Sequence, residues 1–139
     1  MYYVNQEQIA LRLNAIPDIV NALQLLIADW KGDLLQGLAQ ERALHLAIET
    51  VTDVGNYLID GFIMRDASSY EDIIEVTGGE GVFSQELQAS LIELVKLRKP
   101  LVQDYYNWPR EALHPATLLL PAQLLAFKEA VEAYLKQEL

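Results

Sequence analysis

Residues 97–106, LRKPLVQDYY, place an arginine, a proline, a glutamine and two tyrosines where an amphipathic helix should end. Arg98 and Tyr105 are seven residues apart, so at about 100° per residue they point along one helix face, two turns apart. Gln103 is displaced from Arg98 by roughly 140° in an ideal helix. Pro100 alters that expectation, because it offers no N–H to the carbonyl of Lys96 and its ring crowds that carbonyl. The helix should bend or locally unwind there, and a bend could bring position 103 toward the Arg98 side. Glutamine can orient water or hydrogen-bond a phosphate, but it has no usable proton equilibrium. The side chains that titrate near neutrality and can both accept and donate a proton are the two histidines, His45 and His114. His45 lies mid-helix between Leu44 and Leu46, and His114 sits beside Pro115; each has a structural or surface reading as well as a catalytic one. Tyr105 and Tyr106, followed by Trp108 and Pro109, can also simply close the core, since tyrosine buries its ring and leaves its hydroxyl at the surface.

The elements that must position these groups read as helices throughout. From Asn5 to Trp30, apolar residues including Ile9, Leu13, Ile16, Val20 and Leu23 recur near helical spacing, which predicts a long first helix bent near Pro17. Asp33 can cap a second helix running through Leu34, Leu38, Leu44, Ile48, Val51 and Leu58, with Gly61 near its end. Ser68 and Ser69 precede a short helix over Ile73, Ile74 and Val76, which Gly78, Gly79 and Gly81 close with a tight turn. A phosphate-binding loop at those glycines is disfavoured, because no Lys-Ser or Lys-Thr follows and no strand precedes them. Ser84 begins a helix that carries Leu87, Leu91, Leu94, Arg98 and Tyr105, and a last helix starts between Trp108 and Pro115. Four long helices and one short one, with no strand-like alternation, predict an all-α antiparallel bundle of four to five helices forming a single domain over residues 1–139.

Bulk composition narrows the function classes. A chain of 139 residues that is 52% hydrophobic builds one domain with a real core. The absence of cysteine excludes disulfides and thiolate metal sites. The N-terminus lacks the basic start and apolar stretch of a signal peptide, and the apolar runs fall short of the roughly 18 to 20 residues of a membrane span, so a soluble cytoplasmic protein is expected. A net charge of −10 from ten Lys and Arg against twenty Asp and Glu argues against a broad basic face for nucleic acid and leaves a local basic pocket as the means of contacting RNA. The acidic excess otherwise serves solubility or a basic partner surface.

The run from Arg98 to Tyr105 resembles the R-x-x-x-x-H-x-Y motif of the HepT-like (DUF86) proteins of the HEPN superfamily, toxin components of bacterial and archaeal toxin–antitoxin pairs. Residues 39–59, AQERALHLAIETVTDVGNYLI, resemble that family's long helix, and Ser68, Ser69 and Tyr70 match in part the lead-in to its short helix. The resemblance covers nearly the whole chain, and the order of its blocks is more specific than any one motif.

The resemblance implies a HEPN-like homodimer with the motif at or near the subunit interface, and a metal-independent ribonuclease needing no cofactor. In that chemistry the arginine steadies the scissile phosphate, and the histidine moves protons at the ribose 2′-hydroxyl or the leaving oxygen, giving a cyclic phosphate. A minimal nucleotidyltransferase acts as antitoxin partner and attaches AMP to the motif tyrosine. Carried over, Arg98 is the arginine and Tyr105 the tyrosine and AMP-modification candidate. Position 103 departs: Gln103 stands where the family has histidine, and Lys99 where asparagine often follows the arginine. The roughly 10²- to 10⁴-fold contribution of general acid–base catalysis is therefore expected to be missing, so RNA cleavage should be weakened or lost. Glu41 and Arg42 are either the polar end of the dimer cleft or a solvated helix face. Two alternatives stand beside the ribonuclease: a degenerate HEPN dimer that binds a partner without cleaving RNA, and a helical interaction protein unrelated to nucleic acid.

Overall fold

A computed structural model describes residues 2–139 as six α-helices with no strand among the described residues. They are α1 (Gln6–Leu13), α2 (Ile16–Ala28), α3 (Leu34–Gly61), α4 (Tyr70–Gly79), α5 (Gln85–Val95) and α6 (Pro115–Glu138). The 28 residues of α3 form the central rod, about 42 Å long at 1.5 Å per residue. Helices α1, α2 and α4 pack along it, α2 also lies against α6, and α5 is held between α4 and α6. The core they share includes Ile9, Leu13, Ile16, Leu23, Leu44, Ile48, Val51, Leu58, Ile74, Leu91, Leu120, Leu124 and Phe127.

Side-chain caps set most of the helix starts. The Asn5, Asp33, Ser69 and Ser84 side chains accept from Gln8, Gln36, Asp72 and Leu87 backbone N–H groups respectively, satisfying donors that the first turn of a helix leaves without a partner. The single bent N-terminal helix expected from periodicity is two helices. In an unbroken helix the Pro17 ring would meet the Leu13 carbonyl; instead α1 ends at Leu13 and Pro17 occupies the first turn of α2, where no N–H is required. The stretch Gln6–Ala28 is apolar and long enough by composition to cross a membrane. Here it is interrupted at Asn14 and Ala15, and Ile9, Leu13, Ile16 and Leu23 face the bundle core.

The end of α3 also differs from expectation. Gly61 is its last residue, but the left-handed position lies two residues later at Ile63, with φ 55°. The Met64 N–H donates to the Ile59 carbonyl at 3.0 Å and the Phe62 N–H to that of Leu58 at 2.9 Å, closing the helix. Gly61 answers a packing need: a Cβ there would lie 2.9 Å from the Val4 Cα. Leu34 and Leu38, assigned by periodicity to the core face of the second helix, face outward.

Candidate functional site

Regular α5 stops at Val95, five residues before Pro100. The chain then forms a π-helical turn over Lys99–Gln103 and a 3₁₀ turn over Tyr105–Asn107. The Asp104 N–H donates to the Lys99 carbonyl at 3.0 Å, the i to i+5 bond of a π turn. Such a turn stacks residues five apart, where an α-helix would separate them by roughly 140°. Gln103 accordingly shares with Arg98 the wall of a cavity of about 190 Å³, together with Ser69, Tyr70, Glu71, Lys96 and Lys99. The bend expected at Pro100 is thus a widened turn, and it brings position 103 to the Arg98 side.

Arg98 is gripped from two other helices. Its Nε lies 3.5 Å from Glu49 Oε1 of α3, and its guanidinium carbon sits 4.1 Å from the centroid of the Tyr70 ring at the start of α4, within the range of a cation–π attraction. The same Glu49 oxygen lies 3.3 Å from His45 Nε2, and His45 Nδ1 faces Arg42 Nη1 at 3.4 Å. Glu49 therefore links His45 to the motif arginine, although His45 does not line the cavity that Arg98 and Gln103 share. Periodicity alone did not single out Glu49 or Tyr70. The available signals were the i, i+4 spacing of His45 and Glu49 and the place of Tyr70 in the family-like lead-in to the short helix.

Tyr105 is not on the cavity wall. The switch from π to 3₁₀ geometry breaks the heptad relation to Arg98, and Tyr105 is 58% exposed, its ring edge-on to that of Tyr106 with centroids 5.8 Å apart. Trp108, buried and stacked on His114, closes the core in place of the tyrosines. The segment carrying Tyr105 is nevertheless fixed. Arg110 pairs with Glu41, Nε lying 2.6 Å from Oε2 and Nη2 donating to Oε1 at 3.1 Å, and Nη2 also reaches the Tyr105 carbonyl at 3.4 Å. Gln40, fully buried, donates to the Ala112 carbonyl and accepts from the His114 N–H and the Thr117 hydroxyl. A Cβ on Gly37 would lie 2.5 Å from the Arg110 carbonyl, so glycine lets this segment lie directly on α3.

The remaining candidates take these positions in the fold. Glu41 is a largely buried anchor for Arg110, while Arg42 is exposed beside His45. His114 caps α6, its Nδ1 accepting from the Ala116 N–H at 3.0 Å, and burial lowers its pKa and so favours the neutral acceptor form. The glycines end α4 with the expected turn: Gly78 and Gly79 lie in its last turn and Gly81, at φ 82°, turns the chain toward α5.

Comparison with known proteins follows the same outline. A family model described as ribonuclease HepT-like matches residues 13–113, a span that runs from α1 through the motif to the Arg110 anchor. YutE of Bacillus subtilis (strain 168), carried under the name "Putative RNase YutE", is 34% identical over 139 residues, covering 100% of this chain and 95% of YutE. The solved structure of YutE, described as a cytosolic protein, has a TM-score of 0.89 and covers 100% of this chain and 96% of that one. A toxin–antitoxin crystal structure with AMP-PNP and a mutant MntA-HpeT toxin–antitoxin structure each have a TM-score of 0.77 at 17% identity, covering 90% of this chain and 97% of theirs. At that identity the likeness is one of fold. The match across the motif and the whole-length identity to YutE carry the further conclusion: this chain belongs to the HepT-like ribonuclease family.

Proposed function

We propose that this chain is the ribonuclease-type component of a toxin–antitoxin pair, with a site geometry preserved and its proton-transfer chemistry weakened or lost. The observation that carries this reading is the π turn that places Gln103 beside Arg98 on one cavity wall. In metal-independent RNA cleavage the ribose 2′-oxygen attacks phosphorus and the 5′-oxygen leaves, so one proton is removed and another delivered. Arg98 and the neighbouring lysines supply charge for the phosphate, and the Gln103 amide supplies hydrogen bonds. An amide exchanges no proton near neutral pH, which is the basis for expecting slow cleavage.

The partner in this reading is a minimal nucleotidyltransferase, and Tyr105 is the acceptor of AMP. The exposure of Tyr105, with its backbone tethered through Arg110 to Glu41, supports a hydroxyl open to another protein. The protein acts as a homodimer with the motif near the subunit interface. Two toxin–antitoxin structures share the fold, which supports a partner of some kind.

A second reading, a partner-binding dimer without ribonuclease activity, is favoured by one observation: Arg98 is already paired with Glu49 and covered by Tyr70. Incubating the purified protein and its Gln103→His and Arg98→Ala variants with a mixed RNA pool separates the two. Cleavage that rises by about 10²- to 10⁴-fold with histidine and disappears without Arg98 supports the ribonuclease. A Gln103→His protein that cleaves nothing leaves the partner-binding reading in its place. Mass spectrometry after co-expression with the nucleotidyltransferase tests Tyr105; an AMP-sized addition at another residue would reject that assignment.

A further inference from the structure

Tyr70, the first residue after the Ser69 cap of α4, borders two cavities at once. One is the basic cavity of about 190 Å³ that holds Arg98 and Gln103. The other, of about 310 Å³, is lined by Asn56, Ala67, Ser68, Ser69 and Ile73 along with Tyr70, and none of those side chains is charged. Of the ten basic residues in the chain, Lys96, Arg98 and Lys99 fall within four consecutive positions on the first side. The two cavities thus divide into a cationic half and a neutral half with amide, hydroxyl and apolar surfaces.

That division is the division of a nucleotide, which joins an anionic phosphate to a flat, uncharged base with hydrogen-bonding edges. Tyr70 is 43% exposed, and the Arg98 guanidinium over its ring ties the aromatic platform to the cation. Aromatic side chains beside a basic track are how proteins hold single-stranded nucleic acid, the ring stacking a base and the cations following the backbone. The Asn56 amide offers both donors and an acceptor to a base edge. The basic cavity falls below, and the neutral one sits at the bottom of, the roughly 300–1,000 Å³ typical of whole small-molecule ligands, so each suits one part of a longer ligand. Glu71 on the rim of the basic side, Glu49 beside Arg98 and Glu93, 3.2 Å from Lys96, offset these positive charges and work against a free, multiply charged nucleotide.

We propose that the paired cavities flanking Tyr70 bind one nucleotide of single-stranded RNA, the base against Tyr70 in the Asn56 cavity and the phosphate at Arg98, Lys96 and Lys99. The proposal rests on the ribonuclease-type reading above and adds to it a base-holding subsite built from α3 and α4, outside the motif itself.

The test is the affinity of the full chain for a short fluorescein-labelled oligoribonucleotide of mixed sequence, read by anisotropy, with cleavage scored in the same samples. Tyr70→Leu should raise Kd about 10-fold, in line with the loss of one stacked base, while Tyr70→Phe keeps the parent value. Asn56→Ala, on the exposed side of α3, tests the neutral cavity without touching the α4 cap and should also weaken binding. AMP should compete only at concentrations far above the Kd of the oligonucleotide. Equal affinities for parent, Tyr70→Leu and Asn56→Ala would overturn the subsite, as would a parent that binds no RNA or that binds AMP as tightly as the oligonucleotide. Tyr70-dependent binding with no cleavage by parent or Gln103→His ends the ribonuclease reading and leaves the subsite standing. Cleavage indifferent to Tyr70 and Asn56 does the reverse.

Discussion

Two side chains from other helices decide how available Arg98 is to an anion. The Glu49 carboxylate, 3.5 Å away, neutralises much of its charge, and a phosphate must compete with that carboxylate. Arg98 Nε and Glu49 Oε1 are themselves buried, but 25% of the Arg98 and 37% of the Glu49 side chain is accessible, so the pair contributes little to stability. Glu49→Gln should therefore tighten RNA binding about 2- to 5-fold, the range of an exposed ion pair, with little change in thermal midpoint. Weaker binding in the anisotropy measurement would mean that Glu49 orients Arg98 for its ligand and does not compete with it. At this scale the motif was legible because Arg98, Gln103 and Tyr105 are close in sequence. The contacts of Glu49 and Tyr70 with Arg98 were not, since nothing local shows that α3 and α4 converge on residue 98. The facing of Gln103 depended on which distortion Pro100 imposes, and a π turn and a simple kink share the same sequence.

At the scale of elements, caps were the most readable features: Asp33, Ser69 and Ser84 each begin a helix by the side-chain bond their chemistry suggests. Helix ends were harder, because a break at Pro17 and a bend at Pro17 give the same apolar periodicity. The end of α3 was also hidden, since glycine is the expected left-handed residue and Ile63 takes that role at φ 55°. A β-branched residue there is strained by about 1–2 kcal/mol, and Ile63 is 77% exposed, so little burial would be lost. Ile63→Gly should raise unfolding free energy by about 1 kcal/mol after the entropy cost of glycine, measured by urea denaturation; a lower midpoint would show that the Ile63 side chain is held by another surface. The loop that follows is locked by Asp72, whose carboxylate receives two 2.8 Å bonds from Arg65 and further bonds from the Ser68 N–H and hydroxyl. Those bonds, led by Arg65, hold its pKa far below the usual aspartate value. A lowered folded-state pKa stabilises the fold at pH values above the unfolded aspartate pKa of about 3.9. The contribution fades as pH falls below that value through the folded one. Acid titration of helical circular dichroism should thus show a loss of stability below about pH 4 that is flattened in Asp72→Asn. An unchanged acid limb in that variant would exclude Asp72 as its source.

The whole molecule opposes the ligand that its site is proposed to hold. A net charge of −10 repels RNA at long range, whereas Lys96, Arg98 and Lys99 attract it locally, with Glu71 beside them. These effects leave different marks in salt. Each phosphate neutralised on a single strand contributes about −0.7 to the slope of log K against log salt, so the one phosphate placed at these cations gives about −0.7, and about −2 is the ceiling were each cation to meet a separate phosphate. Diffuse repulsion runs the other way, since salt screens it with a Debye length of about 10 Å at 0.1 M, and that relief reduces the apparent slope further at low salt. Affinity should thus fall only mildly as salt rises, in contrast to the steep loss shown by proteins with a broad basic face. Removing Lys96 and Lys99 together, as alanines, should flatten the slope toward zero while the Tyr70-dependent stacking contribution persists, because stacking releases no counterions. A steep slope in the parent would place the nucleic-acid contact on a larger positive surface than the Lys96, Arg98 and Lys99 patch and would overturn the assignment of the phosphate to it.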